Sequence, residues 1–149
     1  MNAASDPAFR FHHQVDVRFR DVDAMGHAHH SLPLVYLEEA RAAYWRDVAG
    51  RATLADIDYV MAEVTVRYHR RITWPDRLDV ALRVSRLGGK SFEMAFEIRS
   101  GAGELVASGS TVQVMYDYAA GAAMAIPAEL RARIEAYEWL TPAHPAAPR

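Results

Sequence analysis

Apolar and polar residues alternate with a period of two over Val15, Val17 and Phe19 against Asp16, Arg18 and Arg20, which predicts a short half-buried strand. A polar, Gly-containing segment, Asp21 to Ser31, interrupts the pattern. The period then changes to that of a helix over about Leu32 to Val48: Leu37, Ala40, Tyr44 and Val48 form one stripe, widened by Leu34 and Trp45. Ser31 is suited to the N-cap, Pro33 to the first turn, and Gly50 to stopping the helix. Spacing also lets Glu38 pair with Arg41.

Four further alternations predict strands. Val60, Ala62, Val64, Val66 and Tyr68 share one face of the first; Leu78, Val80, Leu82 and Val84 one face of the second; Phe92, Met94, Phe96 and Ile98 one face of the third. The fourth runs from Leu105 to Tyr116, with Val112, Val114 and Tyr116 on one side. Trp74-Pro75-Asp76, Gly88-Gly89 and Gly101-Ala102-Gly103 are the turns between them, and connections this short imply antiparallel neighbours. A last helix is expected around Pro127 to Tyr137, with Leu130, Ile134 and Tyr137 on one side, and the Pro- and Ala-rich stretch 141–149 as a flexible tail behind a single domain, 1–140. The order is strand, long helix, four antiparallel strands, short helix, an α+β chain in which helix and curved sheet bury each other's apolar faces.

Composition agrees with a packed core: 149 residues, 51% of them hydrophobic and 24% charged. A net charge of -2 without clustered Lys and Arg argues against a nucleic-acid partner. No apolar run is long enough to span a bilayer, no secretory signal opens the chain, and a cytoplasmic location is the simplest expectation. With no Cys, there is no disulfide, thiol nucleophile or thiolate metal site. His27, His29 and His30, with His12 and His13, invite a metal reading, but no third-ligand pattern supports it; surface histidines are expected, with no metal and no cofactor.

The segment Val17-Arg18-Phe19-Arg20-Asp21-Val22-Asp23-Ala24-Met25-Gly26-His27, followed by Tyr36-Leu37-Glu38-Glu39-Ala40-Arg41, resembles the opening of the 4-hydroxybenzoyl-CoA thioesterase-like family: a strand ending in Asp-x-Asp-x-x-Gly-His, then a central helix. Arg67-Tyr68-His69-Arg70, Lys90-Ser91-Phe92 and Ala107-Ser108-Gly109-Ser110-Thr111 extend the likeness over roughly residues 13 to 135. The resemblance implies the hotdog fold, about five antiparallel strands wrapped around one long helix. It further implies hydrolysis of acyl-CoA or acyl-carrier-protein thioesters, and a homodimer or homotetramer with the site at a subunit interface. It makes Asp23 the catalytic carboxylate, places a backbone oxyanion donor at His30, and gives His27 an orienting role. Gly26, Lys90, Ser91 and Thr111 become candidate substrate-binding positions. Two departures stand out. Many relatives have Gly-His-Val-Asn-Asn where this chain has Gly26-His27-Ala28-His29-His30, and only Lys90 remains of the basic residues some relatives carry beside the turn at Gly88-Gly89.

The chemistry suits these residues. A carboxylate can attack a thioester carbonyl directly or activate water, and the sequence leaves both routes open. Unpaired N–H groups and the dipole at a helix start favour the developing oxyanion. Asp21 is expected to be structural, paired with Arg18 or Arg20, and Ser91 and Thr111 can equally serve as ordinary strand residues. The alternatives are a non-catalytic acyl-thioester-binding module and a hotdog enoyl-thioester hydratase.

Overall fold

The computed structural model describes residues 9–140; the predicted tail, 141–149, lies outside them. Strand β1 (Phe11–Asp16) leads through a 3-10 turn at Phe19–Asp21 into helix α1 (Leu32–Asp47). Then come β2 (Tyr59–Tyr68), β3 (Arg77–Leu87), β4 (Ser91–Arg99), β5 (Leu105–Asp117), the two-residue β6 (Ala122–Ala123) and α2 (Ala128–Glu138). The sheet order is β1-β3-β4-β5-β2, antiparallel throughout, with β6 paired to the end of β5. The sheet curves around α1, the hotdog arrangement that the resemblance implied.

Helix α1 buries the predicted stripe, Leu37, Ala40, Tyr44 and Val48, together with Tyr36 and Ala43. Trp45 stacks on Phe92 of β4 at 5.2 Å and meets Tyr59 of β2 edge-on at 5.0 Å. Each such aromatic pair contributes about 1 kcal/mol beyond the area it buries. Its indole N–H donates to Asp58 Oδ1 at 2.9 Å, so the largest core side chain has no orphaned polar atom. Leu34 does not widen the stripe: it and Val35 are exposed on the side of α1 that the sheet leaves uncovered. Arg41 is buried and donates to the Tyr59 hydroxyl at 3.1 Å instead of pairing with Glu38.

Three strand predictions change. β1 lies earlier than the expected 15–20: Phe11, Val15 and Val17 are buried, but the chain then turns, leaving Phe19 72% exposed against Trp74. In β2 a bulge between Met61 and Glu63 swaps the faces, so Val60 does not share a side with Val64, Val66 and Tyr68. In β5 Val112, Val114 and Tyr116 do share a face, but it is the half-exposed one; Thr111, Gln113 and Met115 point into the core.

Helix α2 closes one end of the sheet with Leu130 and Ile134 fully buried. Its Glu138 accepts from Tyr44 Oη at 2.7 Å and from the Val84 N–H at 3.1 Å, and burial pushes both the Glu138 carboxyl and the Tyr44 hydroxyl above their ordinary values. Among the described residues no helix is long and apolar enough to cross a membrane.

Candidate functional site

The polar segment between β1 and α1 folds as a small closed loop. Val22 and Ala28 form an isolated antiparallel bridge, and the Asp23 N–H donates to the His27 carbonyl at 2.9 Å. Gly26 supplies the reversal with φ +77°, a left-handed conformation that suits glycine. Asp23 Oδ1 accepts from the N–H groups of Met25 at 2.8 Å and His27 at 3.3 Å. Its other oxygen, Oδ2, has no partner among the described residues.

Asp21 anchors this loop. Its Oδ2 accepts from the buried Tyr36 hydroxyl at 2.8 Å and from the Arg18 backbone N–H at 2.9 Å, while its carbonyl receives the His29 N–H at 3.1 Å. The structural role expected of Asp21 is seen, but its partners are a tyrosine and a main-chain amide, not the guanidinium of Arg18 or Arg20. Burial and the adjacent carboxylate push the Tyr36 hydroxyl well above its ordinary value, so it stays a donor. Tyr36→Phe removes one hydrogen bond to a buried charged group, and a loss of about 2 kcal/mol is expected in urea unfolding; a loss below about 0.5 kcal/mol contradicts the anchoring role.

The segment after β2 faces this loop. The Ala28 N–H donates to the Ile72 carbonyl at 2.8 Å, and between loop and segment lies a cavity of about 430 Å³. Asp23, His27, His29, His30, Tyr68 and Arg71 stand on its walls. Tyr68 Oη donates to the His30 carbonyl at 2.5 Å, whereas the His30 N–H has no hydrogen-bond partner among the described residues. That free N–H lies two residues before α1, where the helix dipole favours negative charge. Ser31 occupies the N-cap position but caps no amide; its hydroxyl and N–H meet His29 Nδ1 at 2.8 and 3.3 Å. Arg71 Nη1 approaches His27 Nε2 at 3.3 Å; arginine can only donate, so this ring nitrogen accepts.

The structure thus brings Asp23, His27 and His30 to one cavity, with Gly26 shaping the loop behind them. It does not bring Lys90, Ser91 or Thr111 there. Lys90 is exposed in the β3–β4 turn, Ser91 opens β4 opposite Val114, and Thr111 is buried in β5, accepting from Gln113 Nε2 at 2.5 Å. Only His12 and His13 lie apart, on β1, where they pair with Asp79 at 2.7 Å and Glu39 at 3.1 Å; His27, His29, His30 and His69 line the cavity, with the His29 and His30 rings 4.0 Å apart, yet no group of three side chains placed to hold a metal forms among the described residues. Tyr68, Arg70 and Arg71 are cavity residues that sequence patterning did not assign. Arg67-Tyr68-His69-Arg70 carries a signal in the sequence only as part of the family likeness, and its placement opposite Asp23 depends on where β2 ends.

Solved structures of similar shape include a thioesterase from Thermus thermophilus complexed with coenzyme A and Zn. It is 33% identical, with 85% of this chain and 98% of that chain covered and a TM-score of 0.77. A candidate acyl-CoA thioesterase from Xanthomonas campestris is 35% identical over 74% of this chain and 95% of that chain, TM-score 0.66. A thioesterase-superfamily structure from Jannaschia sp. CCS1 is 25% identical over 90% and 86%, TM-score 0.79. No curated protein sequence matches the chain. The sequence profile of the thioesterase-like superfamily matches residues 17–134, from just after β1 through the loop, the cavity and strands β2 to β6 into α2, and this chain belongs to that superfamily.

Proposed function

We propose that the chain hydrolyses acyl thioesters carried on CoA, with the reaction centred on Asp23. The observation that supports it most is the pairing, on one cavity, of a carboxylate oxygen and a backbone N–H that have no partner among the described residues. With the thioester carbonyl carbon beside Asp23 Oδ2 and its oxygen toward the His30 N–H, a new C–O bond forms and the carbonyl electrons move onto oxygen. The N–H stabilises that oxyanion, a contact worth about 3 kcal/mol in a preorganised site. Collapse breaks the C–S bond; the thiolate takes up a proton and leaves. Attack by Asp23 itself gives a mixed anhydride that water opens, and attack by water gives the acid directly as Asp23 takes the proton. Both balance, and both need the same oxygen. His27, its Nε2 turned to Arg71, holds the loop that presents Asp23.

The site is built between two copies in this reading. β2 ends the sheet order, so its outer edge is an unpaired ladder, the kind of edge that proteins cover. Met61, Val64 and Tyr68 on β2 and Leu34 and Val35 on α1 are exposed apolar residues, and Tyr68 also lines the cavity. A dimer through this edge covers all of them and narrows the cavity. Light scattering at micromolar concentration is expected to give a dimer or a multiple of it; a monomer contradicts the arrangement.

The direct test is a panel of acyl-CoAs with a thiol-trapping reagent. Release of CoA from at least one class is expected. Tight binding of acyl-CoA with no release returns the binding-module alternative, and loss of the conjugated absorbance of crotonyl-CoA without thiol release returns the hydratase.

A further inference from the structure

The walls of the Asp23 cavity carry an uneven charge. Asp23 is the one carboxylate among the lining residues, against Arg70, Arg71 and four imidazoles. Most of these groups are already engaged. Arg70 pairs with Glu104 at 3.5 Å, His69 Nε2 meets Ser108 Oγ at 2.8 Å, and His29 Nδ1 accepts from the Ser31 N–H at 3.3 Å.

Arg71 is different. Its one hydrogen bond among the described residues runs from Nη1 to a neutral acceptor, His27 Nε2, at 3.3 Å, and it makes no ion pair there. A guanidinium has five N–H donors in a planar fork, so the Nε–Nη2 edge stays open for a two-pronged contact while Nη1 remains on His27. The side chain is exposed on the cavity wall, so no cost of burial enters. What it offers an entering group is a positive charge and a fork shaped for a carboxylate.

Distance decides which part of a thioester meets it. Asp23 Oδ1 accepts from the His27 backbone nitrogen at 3.3 Å, and Arg71 Nη1 stands 3.3 Å beyond the far end of the same residue. A histidine spans about 5 Å from backbone nitrogen to Nε2, which puts the guanidinium within about 12 Å of the reacting carboxylate. The first phosphate of an extended pantetheine thioester is roughly 15 Å from the sulfur, so it falls outside that range. The acyl side fits. A carbon chain advances about 1.3 Å per bond, and a carboxylate three to five bonds past the thioester carbonyl spans about 8–10 Å with its hydrogen bond to arginine included. Pro33, Ile72 and Val106 give the cavity apolar wall for the methylenes between, and about 430 Å³ holds such a chain with the near end of its thiol arm.

We infer that the cavity selects acyl groups that end in a carboxylate of their own, short dicarboxylic acids esterified to the thiol at one end, with Arg71 taking the free end. The inference rests on the thioesterase reading and names the substrate class of that site. Because Arg71 also supports His27, its replacement lowers turnover of every ester, and the ratio between esters carries the test.

The experiment uses the full chain and three CoA thioesters: glutaryl-CoA, its monomethyl ester, and pentanoyl-CoA. All three carry the same CoA, so contacts to that part cancel in the ratio. In wild type, kcat/KM for glutaryl-CoA is expected to exceed that for either neutral ester at least about tenfold. Arg71→Gln is expected to bring the ratio near one, and Arg71→Lys, which keeps the charge and loses the fork, to fall between. Calorimetry with the glutaryl and pentanoyl analogues in which a methylene replaces the sulfur reads binding apart from cleavage. Neutral esters cleaved as fast as glutaryl-CoA overturn the inference and leave the thioesterase reading standing. An equal fall for all three esters in Arg71→Gln also overturns it, leaving Arg71 as a support for His27 alone. Cleavage of none, with the glutaryl analogue bound about tenfold tighter than the pentanoyl one and that difference lost in Arg71→Gln, keeps the selection and removes the hydrolase reading. Neither cleavage nor a difference in binding overturns both.

Discussion

Asp23→Asn is expected to lower kcat/KM for thioester hydrolysis about 10³-fold, the scale of losing a nucleophile or general base, while the melting temperature stays within about 2 °C of wild type. The two effects separate because Asp23 has two jobs on two oxygens. Oδ1 accepts the N–H groups of Met25 and His27 and closes the loop. An asparagine oxygen accepts the same bonds, so the loop keeps its shape and the His30 N–H its place. What disappears is the charged second oxygen. Asp23→Ala is expected to lose as much activity and, in addition, about 1 kcal/mol of stability, because the loop amides lose their acceptor. If asparagine restores wild-type turnover, Asp23 is a loop acid and nothing more.

The largest structural effect is expected at Gly109. A Cβ there would stand 1.8 Å from the Thr65 carbonyl oxygen and 3.1 Å from the Phe96 ring. The first obstacle is backbone, so β2 must separate from β5 or the substitution must distort both. Gly109→Ala is expected to cost about 3 kcal/mol or more, seen as a fall in melting temperature of at least about 6 °C. Activity should fall further than stability, because β2 carries Tyr68, whose hydroxyl holds the His30 carbonyl. A variant that melts within about 1 °C of wild type means that the strand pairing at this point is looser than the structure has it.

Much of this architecture could be read from the sequence because periodicity reports burial directly. The stripe on α1 and the alternations of β3 and β4 point the way they do because every third or fourth residue of the helix, and every other residue of the strands, meets the core. The failures have local causes. Val17 and Phe19 continue an alternation that the chain itself does not, since it turns at Phe19. The bulge after Met61 inverts the faces of β2 without any mark in the residue types. In β5 the more apolar face is the outer one, and Thr111 and Gln113 are satisfied in part by each other, so polarity misassigns the inside.

The site was legible only as far as it is local. Asp23, Gly26 and His27 lie within one tight loop, and His30 follows at the helix start, so a short motif is enough to find them. Tyr68, Arg70 and Arg71 reach the same cavity only because β2 ends at Tyr68 and the segment behind it is tied to the loop by the Ala28 N–H donating to the Ile72 carbonyl. No spacing rule connects positions so far apart.

The most direct measurement is a crystal structure with an acyl-CoA analogue in which a methylene group replaces the sulfur, leaving a carbonyl that cannot be hydrolysed. The carbonyl oxygen should lie about 2.7–3.1 Å from the His30 backbone nitrogen, with Asp23 Oδ2, or a water bound to it, facing the carbonyl carbon. A carbonyl bound elsewhere, with the His30 N–H and Asp23 both out of reach, would contradict the account at its centre.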